Sequence, residues 1–369
     1  MDQQIQFCTA QDGVRIAYAT IGDGPPLVKA ANWLTHLEFD WHSPVWRHWM
    51  EALASGRLLV RYDERGCGLS DRDVTDFSFD AMVRDLEAVV DALHLDRFPL
   101  LGISQGGAVS AAYAVRHPKK VTHLILYGAF ARGHLRRGQS TLEEHEAQLS
   151  LVRLGWGRDN PAYRQMFTAQ FMPEAKLEQL RWFNELMRVS TSADNAVRII
   201  EAFGQIDVTD LLPRVTVPTI VLHCRDDARV PFEEGRMVAT LIPGARFIPL
   251  KGKNHLPQEG DPCWQPLIVE VRRFLGAAGY AIERRRTAAT AVSPAADDPR
   301  YSLLTSRERE VAALIAQGLA NREIAERLVI TERTAEGHVQ SILNKLGFNS
   351  RVQVAAWAVS HGLDGSPAH

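Results

Sequence analysis

The chain has 369 residues, of which 46% are hydrophobic and 23% are charged, and its formal net charge is −2. The length predicts two domains, and the apolar content is sufficient for a large core. The charge excludes a protein that is basic overall, so any contact with nucleic acid must come from a local patch. No apolar run approaches the length of a membrane span, and the first residues lack a basic stretch followed by an apolar one. We therefore expect a cytoplasmic protein without a signal peptide or a membrane partner.

The cysteines Cys8, Cys67, Cys224 and Cys263 are widely separated in the chain. They form neither a C-x-x-C pair nor a Cys/His spacing that is typical of a metal site. We therefore expect no metal, and no other motif indicates a cofactor.

Apolar runs alternate with segments of helical spacing over roughly the first three quarters of the chain. The predicted strands are 14–21, 27–31, 58–62, 98–101, 121–127 and 219–224, and residues 79–95 have helical spacing. Strands that alternate with helices predict an α/β fold whose parallel sheet is covered on both faces. In such sheets, ligands bind at the carboxyl ends of the strands.

A G-x-S-x-G motif, residues 102–106, follows the predicted strand 98–101. This motif is typical of a nucleophile elbow, in which a sharp strand-to-helix turn presents a serine hydroxyl. The serine is Ser104, and its place at a helix N-terminus would let backbone N–H groups receive an oxyanion. Five residues alone also fit a plain Gly/Ser turn without a chemical role.

An acid and a base follow two later strands. A serine hydroxyl needs a base to take its proton, and that base needs an acid to orient it. The strand 219–224 is followed by Asp226 and Asp227, and the apolar run 246–250 is followed by His255. Each alone is typical of a solvated turn. Together, in the order Ser, Asp, His and each after a strand, they favour a catalytic triad.

Residues 7–275 resemble the α/β-hydrolase superfamily, and two motifs besides the elbow support this. Segment 63–70 is similar to the D-x-R-G-x-G-x-S loop that is common in the family. Segment 224–231 is similar to the family's acid turn, G-x-x-D-x-x-x-P, and that alignment favours Asp227 over Asp226 as the acid.

The resemblance implies a function for particular residues. The implied catalytic triad is Ser104, Asp227 and His255. The implied oxyanion donors are the backbone N–H of Gln105 and that of Asn32 or Trp33. Many family members carry His-Gly in that second loop, whereas this chain reads Ala30-Ala31-Asn32-Trp33. A serine at the elbow argues against dehalogenase and epoxide hydrolase chemistry, where an aspartate would stand.

A long insertion at about 131–212 is predicted to form a helical cap over the serine, as insertions there usually do in this fold. Its amphipathic segments are 148–156, 162–171, 174–188 and 194–203. Most of its aromatic side chains are expected to pack the cap itself. The others predict a pocket for a small apolar ligand of the acyl or ester type.

Small residues and proline without periodicity indicate a linker at 280–299. The residues after it predict four short helices. Thr305 and Glu308 form a capping box, Asn321 and Thr331 are the predicted N-caps of the next two helices, and Gly347 ends the third. The short turn between the second and third helices predicts a helix-turn-helix domain.

Residues 301–363 closely resemble the LuxR-type helix-turn-helix domain, on the segments 304–311, 318–325, 333–339 and 342–347. The resemblance implies sequence-specific binding of double-stranded DNA and control of transcription. The outward face of the third helix supplies the candidate DNA contacts, which are Arg333, Glu336, Gln340, Ser341, Asn344 and Lys345. Many members have lysine in place of Glu336, and plain solvent exposure remains the alternative for each residue.

The fourth helix carries Val354, Ala355, Trp357 and Ala358, more apolar surface than one small domain needs. In this family that helix often forms a dimer contact, so a homodimer is expected.

The predicted architecture is an α/β-hydrolase domain at 1–279, a linker at 280–299 and an all-α DNA-binding domain at 300–369. It favours a transcriptional regulator whose hydrolase domain binds, and slowly hydrolyses, a small ligand. Two alternatives remain open: an active serine esterase or lactonase with an accessory DNA-binding domain, and a receptor whose triad is catalytically dead.

Overall fold

The computed structural model describes residues 2–138, 142–276, 303–348 and 350–360. These residues belong to two compact units, one within 2–276 and the other within 303–360. The predicted linker at 280–299 lies outside the described residues. Among the helices in the described ranges, none is both long enough and apolar enough for a membrane span.

The first unit contains an eight-stranded sheet. Its strands are β1 (Gln3–Thr9), β2 (Arg15–Ile21), β3 (Pro26–Lys29), β4 (Leu58–Tyr62), β5 (Phe98–Ile103), β6 (Val121–Tyr127), β7 (Thr219–Cys224) and β8 (Arg246–Leu250). Their order across the sheet is β1-β2-β4-β3-β5-β6-β7-β8. The strands from β4 to β8 in this order pair in parallel, whereas β1 and β2 are antiparallel at one edge.

The helices that cover the sheet lie between or after its strands along the chain. They are α1 (Leu37–Trp41), α2 (Arg47–Ala54), α3 (Phe79–Ala92), α4 (Gln105–Arg116), α9 (Phe232–Leu241) and α10, described over 264–276. Neighbouring strand residues such as Leu100 and Leu101 belong to two different buried apolar clusters. Since successive side chains of a strand point to opposite faces, both faces of the sheet are covered. The predicted α/β fold is confirmed.

Four helices follow β6, as the insertion predicted: α5 (Leu142–Gly155), α6 (Ala162–Phe171), α7 (Leu177–Ser190) and α8 (Ala193–Gln205). The predicted start of α7 at residue 174 was too early. The N–H of Lys176 donates to the side chain of Gln179 (2.8 Å), and this local cap sets the first turn at Leu177.

The second unit consists of α11 (Ser306–Ala316), α12 (Asn321–Leu328), α13 (Glu332–Leu346) and α14 (Arg351–Ser360). The predicted capping box of α11 is confirmed, because Thr305 and Glu308 each accept the other's backbone N–H. The predicted cap of α12 was wrong. Asn321 is its first helical residue, and the N–H of Ala320 is satisfied by the Glu323 side chain (2.6 Å).

The apolar residues of α14 pack inside the second unit. Val354, Trp357 and Ala358 are at most 5% exposed, and Ala355 is half-buried against the same core. The prediction that these residues form spare apolar surface was therefore wrong, because the unit's own core uses them. The homodimer remains a prediction.

Candidate functional site

Ser104 lies at the tip of a strained turn between β5 and α4. Its φ of 55° and ψ of −128° belong to a region that side-chain-bearing residues rarely adopt. The turn also requires close backbone contact, since a Cβ at Gly106 would lie 2.5 Å from the carbonyl oxygen of Ala31. These two features together explain why glycine surrounds the serine.

Asp227 and His255 are directly bonded. His255 Nδ1 lies 2.7 Å from Asp227 Oδ2, and both side chains are fully buried. The other carboxylate oxygen, Oδ1, accepts the backbone N–H groups of Arg229 and Val230, each at 2.9 Å. Burial alone would raise the pKa of Asp227, but the neighbouring imidazole and these N–H groups outweigh it and lower the pKa. The acid is therefore ionised at neutral pH, whereas Asp226 is exposed.

The end of β6 places Ser104 and His255 in one neighbourhood. The Ser104 N–H donates to the carbonyl of Tyr127 (3.0 Å), and the next residue, Gly128, lies against His255. The His255 N–H donates to the carbonyl of Phe171 (2.8 Å), a residue that lines a cavity together with Ser104. In the described part of the chain, His255 Nε2 is buried without a hydrogen-bond partner. Since Nδ1 is the nitrogen that faces Asp227, Nε2 is the ring nitrogen left for another hydrogen-bond partner.

A second buried histidine, His223, lies beside the acid and was missed by the sequence analysis. Its Nε2 is 3.6 Å from Asp227 Oδ2 and 3.0 Å from the carbonyl oxygen of Val230. Burial lowers the pKa of His223, although the nearby carboxylate opposes this lowering. The ring is therefore neutral at neutral pH. The sequence contained one indication that His223 belongs to the site, namely its position. It lies one residue before the end of β7, just ahead of the acid turn.

The loop after β3 contains the predicted second oxyanion donor. Asn32 and Trp33 are both buried, and Trp33 lines the cavity with Ser104. The Asn32 side chain accepts a hydrogen bond from Lys29 Nζ and donates to the carbonyl of Trp33 (3.2 Å). Burial lowers the pKa of Lys29 to about 7. Gln105, the first predicted donor, is the first residue of α4, where a backbone N–H has no intrahelical acceptor.

The cavity beside Ser104 has a volume of about 50 Å³. Its aromatic lining agrees with the expected apolar pocket and consists of Trp33, Phe130, Phe171 and Phe203. Its polar lining was not predicted from the sequence and includes His134, Arg137 and Arg229. The pattern gave no signal for these side chains, since periodicity does not show which loop residues face a cavity.

The predicted DNA contacts on α13 differ in their surroundings. Arg333, Glu336, Gln340 and Asn344 are exposed. The side chains of Gln340 and Asn344 are bonded to each other at 3.1 Å.

Two other predicted contacts, Ser341 and Lys345, are bonded within the unit. Ser341 Oγ and Lys345 Nζ both donate to the carboxylate of Glu308 on α11, at 2.7 and 2.8 Å. Their side chains thus connect α13 to α11, a role that the exposed-face pattern did not predict.

Comparisons with known proteins agree with both units. Residues 36–262 match the family model described as alpha/beta hydrolase fold, and residues 302–358 match that of bacterial regulatory proteins of the luxR family. The AB hydrolase superfamily protein YisY of Bacillus subtilis is 27% identical over 252 residues, which are 68% of this chain and 91% of that protein. Pyrrolizixenacetamide deacetylase of Xenorhabdus hominickii is 26% identical and covers 71% of this chain and 94% of its own length.

A solved structure, an esterase from Exiguobacterium antarcticum, has a TM-score of 0.59 and 27% identity, with 68% of this chain and 92% of that one covered. The elbow at 102–106 and the acid turn at 224–231 lie within residues 36–262, which the hydrolase family model matches. The chain therefore belongs to the α/β-hydrolase fold family, and it carries a second domain of the LuxR type at its carboxy-terminal side.

Proposed function

We propose that the chain is a DNA-binding transcription regulator whose hydrolase-fold domain binds, and slowly hydrolyses, a small ester-type ligand that controls DNA binding. One observation carries the proposal: a cavity lined by Ser104 and a buried His255–Asp227 hydrogen bond occur in the same chain as a LuxR-type domain. A ligand can regulate DNA binding only if it binds two states of the protein with different affinity. The experiments therefore test chemistry and coupling separately.

In the proposed reaction, Ser104 Oγ attacks the carbonyl carbon of the ester while its proton passes to His255 Nε2. Asp227 stabilises the imidazolium that forms. The carbon–oxygen bond to the alcohol then breaks, and the alcohol leaves with the proton from His255. Water attacks the acyl-enzyme by the same route, which releases the acid and restores Ser104.

Two observations support ester hydrolysis at a low rate. Relatives at 26–27% identity are named as an esterase and a deacetylase, and both names describe acyl transfer to water. In this chain the loop after β3 lacks the His-Gly of many family members. If the backbone N–H groups of Asn32 and Trp33 do not reach the oxyanion, the loss of this donor raises the barrier by about 3 kcal/mol, roughly a hundredfold in rate.

The hydrolytic part is tested with p-nitrophenyl esters and a fluorophosphonate probe. We expect covalent labelling of Ser104 in the full chain and slow release of p-nitrophenol, and both should be absent from Ser104→Ala. Labelling that persists in Ser104→Ala would come from another residue and would contradict the assignment. Ligand binding without turnover would favour the receptor alternative.

The regulatory part is tested by gel shift with the DNA upstream of the chain's own gene. We expect the chain to shift this DNA specifically. The protein concentration at half-maximal shift should change when an ester that the chain binds is added. Rapid ester turnover together with a shift that no ester alters would favour the esterase with an accessory DNA-binding domain. No specific shift in either condition would refute regulation through this DNA.

A further inference from the structure

The cavity beside Ser104 is rich in hydrogen-bond donors, and none of the described residues that line it carries a carboxylate. Arg137 and Arg229 bring two guanidinium groups to it. The third basic side chain, His134, is neutral at neutral pH, because burial and then the nearby Arg229 lower its pKa to about 4. The lining therefore has a net positive charge.

Arg137 has no acidic partner of its own among the described residues. Its Nε donates to the carbonyl of Arg132 (2.7 Å), and its guanidinium lies over the ring of Phe130. The acid in its vicinity, Glu234, is engaged by Arg132, whose Nη2 and backbone N–H bond its two oxygens at 2.7 and 3.1 Å. The remaining donors of Arg137 are left for another acceptor.

Arg229 is similar. Its Nη1 donates to Gln170 (2.8 Å), and its guanidinium lies 5.2 Å from the ring centre of Phe171. Asp227, two residues earlier, is bonded to His255 and to backbone N–H groups instead.

The two arginines also repel each other. Burial lowers the pKa of Arg137 to about 10. The nearby Glu234 opposes this lowering, whereas the charge of Arg229 adds to it. Both groups remain protonated at neutral pH, so an anion between them would relieve this repulsion.

Two neutral donors add to this excess. The indole Nε1 of Trp33 and the amide Nε2 of Gln105 are buried, and neither has an acceptor in the described part of the chain. Both residues line the same cavity. Buried donors without acceptors are costly, so these lining residues, like the two arginines, carry donors in excess of acceptors.

We propose that the ligand of this site is an ester or lactone that also carries a second, ionised carboxylate, which Arg137 and Arg229 bind. Arginine matches a carboxylate with paired hydrogen bonds that a neutral ester cannot form. The small cavity, about 50 Å³, favours a short acyl chain. The inference rests on the proposed function, because it names the ligand class of the same site.

The test is binding, measured by calorimetry on the full chain with Ser104→Ala, so that turnover does not interfere. The probes are monomethyl succinate, which is anionic at pH 7, and dimethyl succinate, which is neutral. We expect the anionic probe to bind at least about tenfold more tightly, as expected for charge-assisted hydrogen bonds.

Variants in the Ser104→Ala background identify the groups responsible. Arg137→Gln and Arg229→Gln should each reduce the preference for the anion by about tenfold. Arg229→Lys keeps the charge without the paired donors, and should lose less; it also serves if the glutamine variants fold poorly. The matched control is Arg136→Gln, which makes the same charge change at an exposed residue outside the lining.

Equal affinity for the two probes, no binding of either, or an unchanged preference in both glutamine variants would overturn the inference. The proposed function fails by different results, namely absent labelling of Ser104 or a DNA shift that no ligand alters. A serine that is labelled but shows no anion preference would therefore refute only the inference.

Discussion

Asp227 lies buried against His255, whereas its neighbour Asp226 is exposed. We expect Asp227→Asn to lower kcat for p-nitrophenyl acetate by about 10⁴-fold, because an amide no longer holds the imidazole in the required tautomer. Asp226→Asn makes the same change one residue away and should stay within twofold of the wild type, on the order of experimental scatter. Similar losses in both variants would reject Asp227 as the acid.

Gly128 has a φ of 55°, and a Cβ there would lie 2.8 Å from His255 Cε1. We expect Gly128→Ala to displace the imidazole and to reduce ester hydrolysis by about a hundredfold, as misplacements of about 1 Å can. Gly244→Ala is the control, since its φ is 71° and, apart from its chain neighbours, no described residue has an atom within 4 Å of its Cβ position. It should cost about 1 kcal/mol of stability but leave the rate unchanged.

If Gly244→Ala reduced hydrolysis as much as Gly128→Ala, backbone strain would explain the loss and the contact with His255 would be irrelevant. Thermal melts of both proteins separate the two effects, because strain should lower both melting temperatures similarly.

For single residues, the motifs and the order along the chain were sufficient to predict the candidate triad. Ser104, Asp227 and His255 each follow a strand, and parallel strands bring their carboxyl ends to one edge of a sheet. Arg137 and Arg229 were not predictable, because their proximity depends on how separate loops pack. The bonds of Ser341 and Lys345 were missed for the same reason, since Glu308 lies more than thirty residues away.

Glu308 links two helices of the second unit. It accepts hydrogen bonds from the N–H of Thr305, the N-cap of α11, and from Ser341 and Lys345 in α13, at 2.7–2.8 Å. We expect Glu308→Gln to cost about 2 kcal/mol in stability, since hydrogen bonds to a buried charge are lost. Glu310→Gln, which removes only a surface pair with Arg307, should cost less than about 0.5 kcal/mol. Amide hydrogen exchange of α11 and α13 in the full chain measures both.

The contribution of Glu308 should depend on pH. Burial alone would raise its pKa, but the bonds from Lys345, Ser341 and Thr305 outweigh it and lower the pKa to about 2. A carboxyl with a folded-state pKa below its unfolded value of about 4.5 stabilises the fold above pH 4.5. That stability decreases as the pH falls from 4.5 toward 2. The difference between wild type and Glu308→Gln should shrink from pH 6 to pH 3, and a constant difference would contradict this.

Elements of strong periodicity were predicted well, and those that depend on tertiary context were not. The buried strands β4, β5, β6 and β7 are mainly apolar in sequence. β1, whose sequence is Gln3-Gln4-Ile5-Gln6-Phe7-Cys8-Thr9, is largely polar and becomes a strand because it pairs with β2 at the sheet edge. Edge strands bury little surface, so their composition carries little signal.

For the whole molecule, the prediction concerns the outward face of α13, which the sequence predicts to contact DNA. Gln340 and Asn344 are exposed and bonded to each other. If this face enters the major groove, Gln340→Ala and Asn344→Ala should each weaken binding to the specific site by about 1–3 kcal/mol. Binding to unrelated DNA should change little, and because the two amides interact, the double variant should lose less than the sum. Equal losses on both DNAs in titrated gel shifts would assign these residues to nonspecific contact.

The Glu308–Lys345 ion pair has a consequence for how the protein would respond to ionic strength. A cation already neutralised by an internal acid displaces few sodium or potassium ions from a DNA backbone, and Glu336 on the same helix displaces none. Arg333 is then the principal cation that α13 offers to phosphate. The affinity for DNA through this helix should therefore decrease only gradually as the potassium concentration rises. A plot of log affinity against log salt should have a slope of about −1, because about one phosphate counterion is displaced.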